Sequence, residues 1–502
     1  MPYITRKFPV GIDQTGSAVL ALFLIGITDF IWMNLSEDLH HWFVVPVSIC
    51  GVLMATDALD WLRGRLDLYD PFGLVGLMGV HFFFVAPLLH ASLGYFMTGV
   101  TAPPDWRDWL GYMGYLNAAG LIAYRLCRYL RINTLERHKT VWIVEKHRFN
   151  LVLIVSLLLS VALQIVVYAK FGGLLGYMDV RMVDPHAMDG MGVIFMMSES
   201  APILLTFLVI IHLGRDKINW IKASAALLVL LLIELYFGGL RGSRSETLEL
   251  YFWVIGCVHY KVRPVPKRFV LCGCLVLAVF MYFYAFYKSL GTEGAARAFA
   301  ASAEERAHIA EEKRRSPKYV ALGDFGRADV QAFVLYRLIN DGQDFDYGLG
   351  RTYLGAVCLW IPHWILPNKP DTKLREGTEI QDGTIYDPNF PSSRVYGLAA
   401  EGMLNFGPLA VPISYAAFGW VVGWLRRTAY SFWPQDMRLL LVPFGVFMLL
   451  GILIGDSDNV AFGLVKNGLV PILVVVLSSR RLYMSANTAL TFVQQQTVLN
   501  VR

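Results

Sequence analysis

Charge is what this chain of 502 residues has least of. Asp, Glu, Lys and Arg together make up 17%, against about 25% in an ordinary soluble domain. Cysteine is sparse as well: of six, only Cys358 falls in the hydrophilic stretch from 288 to 403. A single thiol there can close no intramolecular disulfide on that side, so the stretch has to be held by packing. Cys272 and Cys274 have no histidine beside them, which speaks against a metal site. No glycine-rich loop precedes a helix in the phosphate-cradling pattern, which speaks against nucleotide use. An internal repeat is also missing. The opening residues, MPYITRKFPVGIDQTGS, lack an apolar core followed by a small-residue cleavage site, so the first span is expected to act as its own insertion signal.

What the chain does have is long apolar blocks. Its composition is 56% hydrophobic and its mean hydropathy is +0.48. The apolar residues gather in runs of roughly 17–23, the length that crosses a bilayer as helix. They fall near 17–33, 41–56, 72–94, 108–124, 150–169, 191–213, 221–237, 246–259, 269–287, 404–424, 439–455 and 460–478. The expected fold is therefore all-α, a polytopic integral membrane protein of about twelve transmembrane helices. Alternate loops differ sharply in charge. One set holds Arg6, Lys7, Arg63, Arg65, the run from Arg125 to Arg148, Arg215, Lys217, Lys222, Lys261 to Arg268, Arg426, Arg427, Arg438, Arg480 and Arg481. The other set carries about five basic residues against about two dozen, which predicts both termini on the cytoplasmic side and one large external loop. The division follows: 1–287 with about nine helices, 288–403 as the external loop with amphipathic and interfacial helices, and 404–502 with about three helices and a cytoplasmic tail. The net charge of +5 sits at helix ends facing a membrane and implies no nucleic-acid partner.

Within the external stretch, residues 293–316 read as an Ala-rich amphipathic helix with Glu–Arg and Glu–Lys pairs at helical spacing. Asp324 is placed as the cap of a second helix over about 325–340, with Phe333, Tyr336 and Leu338 packing and Arg327 and Arg337 pointing elsewhere. The segment GLGRTYLGAVCLWIPHWILPNKP (348–370) is too short to cross, and Trp360 and Trp364 suit a headgroup layer. Residues 371–393 are polar and marked by Gly, Pro and Asp, which predicts a mobile loop.

IPHWILPNKP ahead of a polar loop, then AAEGMLNFGPLA leading into a span, together with FGGLRGSRSETLELYF (237–252), resembles the oligosaccharide repeat-unit polymerases, the Wzy-type O-antigen polymerases. The resemblance covers most of the chain beyond about residue 230, and the first six spans match only in general character. At one position the chain departs from the pattern, with His363 where many relatives carry Arg after Ile-Pro. The resemblance implies a glycosyltransferase in a bacterial inner membrane acting on undecaprenyl-pyrophosphate-linked glycan at the outer face. Its energy would come from the glycosyl-pyrophosphate bond. Partners would be that lipid-linked glycan, membrane lipids and, as an open possibility, a chain-length-regulating co-polymerase. No cofactor and no metal are required.

Such a transfer has to stabilise a leaving pyrophosphate and take a proton from the acceptor hydroxyl. Guanidinium forks suit the first need. The candidates are Arg241 and Arg244, three apart in a Gly/Ser turn at a helix mouth where backbone N–H groups add to anion binding, then Arg394, Arg351 and Arg327. Each could instead anchor at lipid headgroups or pair with a carboxylate, Arg394 with Asp387 or Glu401; Arg351 and Lys369 could equally snorkel. Glu401, at the start of a span, and His363, which titrates in the useful range, are the candidate bases. Glu401 could also be a structural partner, His363 an interfacial anchor, and Glu246 a helix-start carboxylate. Asp29, His81, His90, Glu199, Glu234 and Lys466 lie within spans; Glu234, one helical turn from the GGLRGSR element, is placed to orient Arg241, and the others are expected to bond between helices. Asp456 and Asp458 resemble a divalent site only superficially. Three alternatives to a polymerase remain: an O-antigen ligase-type transferase, a lipid-linked oligosaccharide flippase or other transporter, and a non-catalytic assembly scaffold, which would leave the external Arg set without a purpose. The transporter reading expects similar halves and charges along a midplane cavity.

Overall fold

The computed structural model describes residues 14–130, 138–183, 190–213, 220–237, 244–312, 316–341, 345–361, 364–383, 385–387 and 394–483. Arg241 and His363 lie outside these residues, as does the side chain of Arg244.

The chain is almost wholly helical. It opens with α1 (Thr15–Leu35), α2 (Val44–Leu62) and α3 (Pro71–Val80), which a π-helical turn at His81–Val85 carries into α4 (Ala86–Ser92). α5 (Trp106–Tyr129), strand β1 (Thr140–Val144), α6 (Lys146–Lys170), α7 (Gly173–Val183), α8 (Gly192–Ser198) and α9 (Ala201–Leu213) follow. Then come α10 (Trp220–Phe237), α11 (Arg244–Lys261) and the long α12 (Lys267–Ala300). The hydrophilic stretch builds α13 (Ala303–Glu312), the single turn α14 (Pro317–Tyr319), α15 (Ala328–Asn340), α16 (Arg351–Cys358), α17 (Leu374–Asp382) and α18 (Gly397–Phe406). α19 (Ala410–Ser431), α20 (Val442–Ile454), α21 (Ser457–Leu477) and strand β2 (Ser479–Tyr483) complete the described chain.

Among the described residues, six helical segments are long and apolar enough to cross a membrane: Thr15–Leu35, Val44–Leu62, Pro71–Ser92, Lys146–Lys170, Gly192–His212 and Ser457–Leu477. This is an all-α membrane protein. α6 shows why: Leu151, Ile154, Val155, Leu158, Ile165 and Val166 are all exposed, a surface that water would not tolerate and hydrocarbon does. Local chemistry sets the helix starts. Asp70 accepts from the Phe72 amide at 3.0 Å with Pro71 at the first helical position, satisfying a donor that the helix itself leaves open.

The core is centred on α5 and α19. Gly419 and Gly423 let the two backbones touch: a Cβ at either would come within 2.4 Å of the Tyr124 or Arg128 carbonyl oxygen. Two buried ion pairs lie at one end of this contact. Arg128 meets Asp57 at 2.5 and 3.0 Å, and Arg426 Nε meets both oxygens of Asp70 at 2.9 Å. Both guanidinium groups lie over the ring of Phe72, at 4.2 and 4.3 Å, so each charge has a carboxylate and a π face. The antiparallel pair β1–β2, with Thr140 opposite Tyr483 and Val144 opposite Ser479, closes the same end. Lys261 donates there to the Pro434 and Asp436 carbonyls, and His259 contacts Asp67 at 3.2 Å. The opposite end gathers the turn after α4, the start of α5 and helices α15 to α18.

Several expectations from sequence change. The helix expected over 293–316 divides: α12 runs on to Ala300, and α13 restarts after Ser302, whose Oγ accepts from the Glu305 amide. The cap of α15 is Arg327, not Asp324, which ends a π-helical turn at Val320–Asp324. The packing expected of Phe333 and Leu338 on α15 is present: with Val330, Val334 and Leu335 they enter the main core beside Met113, Leu121 and Met403. The polar loop at 371–393 contains α17. The span expected at 404–424 is two helices, α18 and α19, parted at Gly407, whose φ of +80° is a conformation that glycine adopts freely. The span at 191–213 is interrupted at Glu199–Ser200.

Candidate functional site

At the end opposite the strand pair, α15 to α18 and the corner between α20 and α21 bring together four of the residues singled out by sequence. Glu401 stands on α18 and is buried, 3% exposed. It accepts from the Thr352 hydroxyl of α16 at 2.8 Å, from the Ser457 amide at the start of α21 at 2.7 Å, and from the Ser457 hydroxyl. Burial and the nearby charge of Asp456 push its carboxyl up to about 7, against the pull of those hydrogen bonds. A carboxylate so placed is able to exchange a proton at physiological pH. It pairs with no arginine among the described residues. Its partners are hydroxyls and an amide, so it also clasps three helices together.

Arg351, at the first position of α16, donates from Nε to Glu376 of α17 at 2.8 Å and lies 3.7 Å from Asp346. Its Nη2 is buried without an acceptor among the described residues. Burial raises the Glu376 carboxyl, partly offset by Arg351. Arg327 caps α15 and directs Nη1 to the carbonyls of Gly323 and Gly326, the latter at 2.8 Å. Its Nε is likewise buried without an acceptor among the described residues. Burial lowers its proton affinity, and Asp456, Asp329 and Asp324 work the other way. Arg394 neither pairs with Asp387 nor meets Glu401. It bonds Gln381 and the Thr98 carbonyl, tying the α17–α18 connection to the turn after α4.

The residue that sequence reasoning missed is Lys373. It is 4% exposed, bonds Asp456 and lies 3.2 Å from Asp458. Its ammonium stands between the two carboxylates of the acidic turn at 456–459. Burial raises the Asp456 carboxyl and the Lys373 charge opposes the rise. The other oxygen of Asp456 accepts from the amides of Tyr396 and Gly397, at 2.8 and 2.7 Å. Asn405 completes the set, accepting from the Gly350 amide at 2.9 Å and donating to Thr352 at 2.8 Å. Nothing in the spacing of Lys373, Asn405 and Thr352 signals this convergence.

A second polar group lies between helices α10, α11 and α21. Lys466 bonds Glu246 and Glu199, the latter at 2.6 Å, and Asn467 donates to Glu249 at 2.8 Å. The other polar residues expected to bond between helices do so in simpler ways. Asp29 accepts from Ser48 at 2.7 Å, His81 meets the Ala321 carbonyl at 3.0 Å, and His90 meets the Tyr95 carbonyl at 2.9 Å with Asp329 at 3.7 Å. Comparison with protein-family models, with curated proteins and with solved structures returns no match, so function has to be argued from residues and geometry.

Proposed function

We propose that this protein is a glycosyltransferase that polymerises undecaprenyl-pyrophosphate-linked oligosaccharide repeat units at the outer face of a bacterial inner membrane, building O-antigen, capsule or exopolysaccharide. The observation that carries this reading is the pairing of two kinds of group at one end of the bundle. Arg327 and Arg351 each keep a buried N–H without an acceptor among the described residues, and the same packed network holds Glu401, a carboxyl able to exchange a proton near pH 7. Guanidinium N–H groups suit a leaving pyrophosphate and the carboxylate suits an attacking hydroxyl. In the reaction the acceptor hydroxyl oxygen bonds to the anomeric carbon of the donor as the bond to pyrophosphate breaks. The phosphate charge stays on the carrier lipid and the hydroxyl proton passes to the base, Glu401 or His363. Arg241, Arg244 and Arg394 are assigned supporting contacts to the same anion. The sidedness is supported by the gathering of Arg63, Arg65, Lys139, Lys261, Arg263, Arg438, Arg480 and Arg481 at the strand-pair end, the arrangement that both termini inside requires.

The test is a gel of surface polysaccharide from a host lacking the gene, complemented with wild type or with Arg351→Ala. A single-repeat product in the null and a ladder on complementation support the polymerase. Arg351→Ala at normal protein level is expected to return the single-repeat product. Long polymer accumulating on the lipid carrier in the null makes it a ligase instead.

A second reading, transport of a lipid-linked oligosaccharide, is favoured by one specific observation. The Lys466 group lies within the helical bundle beside an interrupted helix, the setting in which transporters hold ions. Unflipped repeat units accumulating inside the null would establish that reading and overturn the transferase.

A further inference from the structure

We propose that Lys373 is a positioning residue in the transfer set out above, a role that rests on that reading with Glu401 as the base. It ties α17 to the corner between α20 and α21, and through Asp456 and Ser457 it fixes where the Glu401 carboxylate points. Lys373 stands in PDTKLREG, a polar setting in which a lysine is ordinarily solvated. Taking an ammonium out of water is costly unless it is paired and hydrogen-bonded. Lys373 is nonetheless buried, so its partners define what it does. It sits immediately before α17 and its carbonyl accepts from the Gly377 amide at 2.8 Å. Its ammonium crosses to Asp456, with Asp458 at 3.2 Å.

Asp456 is fully buried and divides its two oxygens. Oδ2 takes the Lys373 ammonium, and Oδ1 takes the amides of Tyr396 and Gly397 at 2.8 and 2.7 Å. Those amides open α18, and Glu401 stands one turn further along it. The next residue, Ser457, holds Glu401 itself, its amide on Oε2 at 2.7 Å and its hydroxyl on Oε1. Asp456 and Ser457 therefore grip α18 both at its first turn and at its carboxylate, and Lys373 is the cation that bonds this grip. The same short helix reaches the arginine side of the site. Glu376 of α17 takes Arg351 at 2.8 Å, and Gly377 lies so near Tyr396 that a Cβ there would come within 2.5 Å of the phenol oxygen. The buried face of α17 is only partly apolar, so polar ties such as that of Lys373 carry its docking. A reacting group displaced by about 1 Å can lose roughly 100-fold in rate. Asp458 supplies a contrast: it meets Lys373 and the Asn459 amide but no residue of α18.

The experiment is steady-state polymerisation by the full chain in lipid nanodiscs, supplied with lipid-linked repeat units purified from a host lacking the gene. It separates kcat from KM and measures folded protein alongside. Lys373→Met is expected to lower kcat about 10- to 100-fold with KM held within about threefold. Lys373→Arg keeps the charge and is expected to lose less. Asp458→Asn is expected to keep kcat within about threefold of wild type. Should Lys373→Met fail to fold, the pair Lys373→Met with Asp456→Asn decides the matter. That pair strands no charge and keeps an oxygen for the Tyr396 and Gly397 amides, so it is expected to fold with kcat still reduced. A wild-type kcat in Lys373→Met or in the pair overturns this role and leaves the polymerase reading standing. A change confined to KM overturns it too, and makes Lys373 a substrate-binding group. A wild type that makes no polymer overturns both.

Discussion

The ion pairs around Phe72 and the Lys466 group bury comparable charge on opposite terms. In the first, Arg128 and Arg426 each meet a carboxylate of their own, Asp57 and Asp70, and share an aromatic ring between them. In the second, Lys466 serves Glu199 and Glu246 at once, while Glu234 and Glu249 line the cavity beside it without a cation of their own among the described residues. Matched charges have nothing left to exchange and hold the helices in place. Charges shared among several helices around a cavity mark the places in a membrane protein where function is most often found. The network around Glu401 lies between the two, with Lys373 closing Asp456 while Arg327 and Arg351 keep donors in reserve.

This contrast is open to breaking. Arg128→Ala leaves the buried Asp57 with only Gln14 at 3.1 Å and Arg125 at 3.7 Å and is expected to cost about 3 kcal/mol, toward the low end of the penalty for breaking a buried pair, read as loss of folded protein in thermal unfolding in detergent. Gly423→Ala forces a Cβ against the Arg128 carbonyl at 2.4 Å and is expected to cost about 1–3 kcal/mol by overpacking. Lys466→Met should cost less than Arg128→Ala, under about 2 kcal/mol, because the group it leaves lines a cavity of about 40 Å³ that can take water. A cost equal to that of Arg128→Ala would erase the distinction between the two groups.

The Glu401 carboxyl gives the smallest effect and the clearest sign. Its folded value, about 7, lies above its ordinary value of 4.5, so between these the folded state binds more protons than the unfolded one. Its contribution to stability is complete below the ordinary value and is lost as pH rises through about 7. Glu401→Gln should flatten that slope in unfolding measured across the same range. If Glu401 is the base, transfer activity should fall as pH drops through about 7, and Glu401→Gln should abolish it; an unchanged acid limb would move the role to another residue.

The sequence is a good guide to helices and a poor one to partners. Apolar runs such as that of α6 announce themselves, because lipid selects them residue by residue. Glu401 and Arg351 stood out as polar groups beside apolar segments, and both join the network. Lys373 did not, since in a stretch marked by Gly, Pro and Asp it reads as a solvated lysine; only the fold brings Asp456 to it across 83 residues. The same remoteness hid β1. TVWIV follows a basic run, and its partner strand lies beyond the last span, so no local pattern marks the pair. α17 escaped because its buried face, Glu376, Gly377, Thr378 and Ile380, is only partly apolar.

The strand pair also sets an order of assembly. Residues 140–144 emerge during synthesis with their edge unpaired, and their partner at 479–483 follows only after α21 has been made. Until then the early helices have to wait beside the insertion machinery with one latch open, and Asp70 waits similarly for Arg426. Closure thus belongs to the finished chain. Ribosomal release at a stop codon before residue 479 would leave a bundle that has inserted but never locked, a ready signal for quality-control proteolysis.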